Sequence, residues 1–202
     1  VHLVRRIPRH VTGARHRWQL NRKSAMSPLV LAHTGQPIHN LWDGLIHPLT
    51  GPDHLLAMAA IGILAALATS RRTAWLTPIG FVGGMIAGGA MGMLGLDLPA
   101  VDTFIALTVV TLGVLTITAT TGDRVWLPLL AVAFGFTHGV SHGAEAPMAA
   151  SPIAYIGGFV LMTALLHGAG AATGWSFRRI PVLRIAAGTM ISGAGVALLL
   201  TV

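Results

Sequence analysis

Ten histidines stand in this chain against one lysine and no cysteine. Imidazole, carboxylate, backbone and water are then the only metal ligands it can offer, and thiol chemistry and disulfides are excluded. Two runs concentrate the chemistry. The first, His47-Pro48-Leu49-Thr50-Gly51-Pro52-Asp53-His54, interrupts an apolar helical pattern. Two prolines and a glycine remove helix hydrogen bonds and bend the backbone. On a straight helix His47 and His54 stand two turns apart, roughly 10 Å, too far to share one ion. Local unwinding at Gly51-Pro52 is the expected way to bring them together. Asp53 is the sharper clue, because an ionised carboxylate inside a membrane is costly and marks a functional site by default. The second run is His138-Gly139-Val140-Ser141-His142-Gly143-Ala144-Glu145. His138 and His142 are four apart, and Glu145 follows three later, so all three fall on one helix face. Two imidazoles and a carboxylate suit Ni, Co, Zn or Cu better than Ca or Mg. His33, in a polar approach segment, and His167, inside a later apolar segment, are further candidate ligands. A lone membrane histidine also serves as a hydrogen bond between helices, so His167 carries both readings.

The elements that must hold these residues are membrane helices. Only 9% of residues are charged and 53% are hydrophobic, with a mean hydropathy of +0.72. Soluble domains carry about 25% charged residues. The expected fold is all-α: a polytopic bundle of six transmembrane helices, near 44–68, 75–96, 102–120, 125–145, 152–175 and 182–202. Spans of about 20 residues leave room only for short loops in a chain of 202. Residues 1–40 form a basic segment, expected to be disordered or signal-like, and 41–202 the six-span domain. Its start is expected either as an alternative codon at Val1 or downstream, at Met26. The net charge of +7 lies wholly in residues 1–23, where Arg5, Arg6, Arg9, Arg15, Arg17, Arg22 and Lys23 face no acid. The rest of the chain balances six arginines against six acids. Nucleic-acid binding needs basic residues spread over a folded surface, so none is expected.

Arg71-Arg72, Asp123-Arg124 and Arg178-Arg179-Arg184 fall in or beside the first, third and fifth connections. Arginine is retained on the cytoplasmic side, which puts both ends of the six-span core outside. His47 and the His138–Glu145 run then lie in the outer half, Asp53 and His54 deeper, and His167 deeper still. Gly80, Gly84, Gly88 and Gly92 form one bare stripe on the second span, where a helix of this chain or of another can approach closely. His47-Pro-Leu-Thr and His138-Gly-Val-Ser, 91 residues apart, faintly echo a plan of two inverted three-span halves.

At these residues the sequence resembles the HupE/UreJ family of bacterial nickel permease-like proteins. The signature H-P-x-x-G-x-D-H is met by His47, Pro48, Gly51, Asp53 and His54. A second, H-G-x-x-H-G-x-E, is met by His138, Gly139, His142, Gly143 and Glu145, and Ala32-His33-Thr34-Gly35 resembles the opening of the mature family proteins. The resemblance implies an inner-membrane protein that supplies Ni²⁺, or Co²⁺, to hydrogenase or urease maturation. We therefore expect a secondary permease and not an enzyme, with the divalent ion as cargo, the bilayer as partner and no permanent cofactor. The chain has no G-x-x-x-x-G-K-[ST] phosphate loop and no H-E-x-x-H protease motif. A non-transporting membrane metal-binding or chaperone component and a bis-histidine haem protein remain as alternatives.

Overall fold

Gly51 and Pro52 split the first apolar segment in two. Proline has no amide hydrogen, and it disfavours helical geometry in the residue before it. In the computed structural model Gly51 takes φ −89° and ψ 108°. Helix α1 (Leu41–Thr50) stops there, and α2 (Pro52–Leu67) begins with Pro52 in its first turn. Their axes meet at 84°. The expected unwinding is confined to Gly51 and takes the form of a sharp bend between the two helices. The His47 carbonyl beside the bend is satisfied twice, by the Gly51 N–H at 3.3 Å and the Thr50 hydroxyl at 2.9 Å.

The structure describes residues 41–119, 124–145 and 151–202. The segment 1–40, and His33 with it, lies outside the described residues. Five further helices follow: α3 (Arg71–Met93), α4 (Val101–Thr118), α5 (Leu127–Glu145), α6 (Pro152–Phe177) and α7 (Pro181–Leu199). Every element among the described residues is an α-helix. The third helix starts four residues before the expected 75 because Ser70 caps it. The Ser70 hydroxyl accepts from the amides of Arg72 at 3.1 Å and Thr73 at 3.4 Å. Arg71 and Arg72 thus form a first turn, not a loop. α3, α4, α6 and α7 are long and apolar enough to cross a membrane, and the bent pair α1–α2 raises the count to five if it forms one span. α5 has comparable length but carries two histidines.

Glycine decides which helices pair. Without water to drive burial, membrane helices associate where small residues let their backbones touch. A Cβ added at Gly84 would overlap the carbonyl of Val132, and one at Gly88 that of Phe136. The contact is reciprocal: Gly135 lies against the Phe81 carbonyl and Gly143 against that of Gly89. The stripe therefore packs α3 on α5 within the chain, and the two run parallel. α2 and α6 also run parallel, with Gly62 on the His167 backbone and Gly170 on Ala59. α4 and α7 pair antiparallel through Gly113 and Gly188, and the Ser192 hydroxyl donates to the Val110 carbonyl at 3.2 Å. Exchanging α2 with α5, α3 with α6 and α4 with α7 maps the pair α2–α6 onto α5–α3 and returns α4–α7 to itself. That is the pairing expected of two repeated halves. At one end Arg178 donates to the carbonyls of Ala66 and Ala68, both at 2.6 Å, supplying donors to groups that the end of α2 leaves without helical partners.

Candidate metal centre

The bend brings together what seven residues of straight helix would hold apart. The ring centroids of His47 and His54 are 5.8 Å apart. α5, held by its glycines, brings His142 to 4.7 Å from His47 and 4.3 Å from His54. Each of the three offers one nitrogen, and these nitrogens lie within 4.8 Å of one another. An ion ligated at about 2.1 Å spaces its nitrogens about 3 to 4 Å apart, so side-chain rotations of about 1 Å close the group on an ion. His54 and His142 are buried and His47 is partly so.

Two aromatic residues one turn apart on α6 wall the group. The Phe159 ring lies 4.4 Å from His142 and 5.9 Å from His47, and Tyr155 lies 5.9 Å from His47. Gly44 and Gly158 let the α1 and α6 backbones touch, which sets this wall against His47. Neither aromatic stands out in the sequence. Their i, i+4 spacing was the only signal, and ordinary core residues show the same spacing.

The remaining sequence candidates take different places. His138 is fully buried behind His54, outside the group of three. Its Nδ1 lies 2.9 Å from His54 Nδ1, and its Nε2 lies 2.9 Å from the Thr108 hydroxyl of α4. Asp53 occupies the first turn of α2 at the edge of the group. One carboxylate oxygen accepts from the His54 amide at 2.9 Å, and the other is 3.8 Å from His54 Nε2. Glu145 closes α5, and its side chain lies outside the described residues. His167 stands apart on α6. The Phe81 ring separates it from the cluster, 5.4 Å from His167 and 5.6 Å from His138. A cavity of about 150 Å³ opens beside His142, and one of about 760 Å³ reaches His167. Ile86 and Val160 line both.

Residues 22–198 match the family model described as HupE / UreJ protein, a stretch that includes both histidine runs. The chain belongs to the HupE/UreJ family. Protein HupE of Rhizobium leguminosarum bv. viciae is 36% identical over 180 residues, spanning 87% of this chain and 92% of its own. No solved structure matches the chain. In this HupE/UreJ protein three imidazoles gather with their nitrogens within 4.8 Å of one another, a donor set that suits a divalent transition metal.

Proposed function

We propose that the protein is a secondary permease of the bacterial inner membrane that takes up Ni²⁺ or Co²⁺ for hydrogenase or urease maturation. The observation that carries the reading is the convergence of His47, His54 and His142 at a broken helix in an apolar bundle. Broken membrane helices are tolerated where they line a cavity, and such breaks mark substrate sites. In this reading α5 makes the sixth crossing, its histidines facing the bundle and not lipid. The arginines put the α2–α3 connection in the cytoplasm. The metal cluster then lies toward the outside and His167 toward the inside, and the cavities beside His142 and His167 meet at Ile86 and Val160. The ion sheds water for imidazole at the cluster, and Asp53 offsets its charge. No nucleotide is needed. A dication moving inward gains roughly 4.6 kcal/mol per 100 mV of inside-negative potential, twice the value for one charge. Radiometal uptake into proteoliposomes holding this chain alone, with Ni²⁺, Co²⁺ and Zn²⁺ in competition, tests the proposal. Metal binding without uptake would leave the chaperone reading.

A further inference from the structure

Thr108 belongs to neither histidine run, yet it ends a chain of hydrogen bonds that reaches the metal group. Its buried hydroxyl lies 2.7 Å from the Ile105 carbonyl and 2.9 Å from His138 Nε2. A hydroxyl has one proton and two lone pairs, and a carbonyl can only accept. The Thr108 proton therefore goes to Ile105, and its lone pair accepts from His138 Nε2–H. A neutral imidazole has one N–H, so His138 Nδ1 carries a bare lone pair. That lone pair faces His54 Nδ1 at 2.9 Å, so His54 Nδ1 must be the donor. By this chain His54 Nε2 carries no proton, and it is the one nitrogen through which this tautomer of His54 can take an ion. The opposite polarity would leave two oxygens 2.7 Å apart at Ile105 with no proton between them.

We propose that Thr108 is a positioning residue for metal binding: acting through His138, it holds His54 in the tautomer whose Nε2 lone pair faces the ion. Ligating histidines elsewhere use such a partner on the second nitrogen to fix ring orientation and basicity, and its loss typically costs about 10- to 100-fold in metal affinity. This inference rests on the metal-site reading above, but the tautomer exists without metal.

The test has two readouts on the full detergent-purified chain. Nitrogen-15 histidine spectra of the metal-free protein should show His54 protonated at Nδ1 and His138 at Nε2. In Thr108→Val, which keeps the branch and removes the hydroxyl, His138 should populate both tautomers. Ni²⁺ titration should show about 10- to 100-fold weaker binding in Thr108→Val. Thr108→Ser, which restores the hydroxyl, should recover both the spectrum and the affinity. Wild-type affinity and tautomers in Thr108→Val overturn the proposal, as does a wild-type His54 protonated at Nε2. If the wild type binds no Ni²⁺ but Thr108→Val still scrambles the tautomers, the metal reading fails and Thr108's role in metal binding falls with it, leaving only its hold on the His138 and His54 tautomers. Should Thr108→Val not fold, the wild-type spectrum decides by itself.

Discussion

The same change, glycine to alanine, should have opposite effects at Gly83 and Gly135. Both sit in helices, where alanine is favoured by about 1 kcal/mol. At Gly83 a Cβ meets nothing within 4 Å. Gly83→Ala should therefore be neutral or stabilise by up to about 1 kcal/mol. At Gly135 the new methyl overlaps the carbonyl and Cα of Phe81, which are backbone and cannot swing aside. α5 must move away from α3 by about 1 Å. A gap of that size forfeits a quarter to a half of the dispersion attraction between facing atoms. Overpacking of this kind costs typically about 1 to 3 kcal/mol, enough to outweigh the helix-propensity gain. The displaced helix also carries His138 and His142, so metal affinity should fall with stability. Reversible unfolding in detergent, followed by tryptophan fluorescence, gives the first quantity, and Ni²⁺ titration the second. Equal stability in the two variants would refute the claim that backbone contact through glycine holds α3 to α5.

Replacing His54 or His142 by Ala removes one of three converging imidazoles. Each should weaken Ni²⁺ binding more than the roughly 10- to 100-fold typical of an outer partner, while the chain still inserts in the membrane; wild-type binding by either variant would remove that residue from the site. Asp53→Ala should abolish proteoliposome uptake, and normal uptake would end its role in offsetting the charge. A reporter fused after Arg72 should read cytoplasmic and one fused between Asp97 and Asp102 periplasmic, with the reverse pattern putting the cluster on the wrong side for uptake. Metal takes neutral imidazole, and free histidine has a pKa of about 6.5, so protons compete increasingly as pH falls. Binding at sub-saturating Ni²⁺ should be strong at about pH 7.5 and largely lost by about pH 5, whereas flat binding over that range would take the histidines out of the ion's ligand set.

Local rules made much of this protein legible before folding. Gly51-Pro52 announces the broken helix, because proline lacks an amide hydrogen and disfavours helical geometry in the residue before it, whereas Pro48 stays inside α1. The four-residue spacing of Gly80 to Gly92 announces a helix seam, because that spacing stays on one helix face. Scarce charge announces membrane helices, and the His, Asp and Glu types in the two runs are ligands that suit a transition metal. Spacing within one helix says nothing, however, about which nitrogen faces which neighbour. His138 and His142 share a face of α5, yet one lies behind His54 and the other beside it. Thr108, Tyr155 and Phe159 join the site from α4 and α6, elements with no histidine signature at those positions. Their roles come from contacts between residues 17 to more than 100 positions apart. Those contacts depend on how closely glycine backbones approach and on where a bend aims the chain.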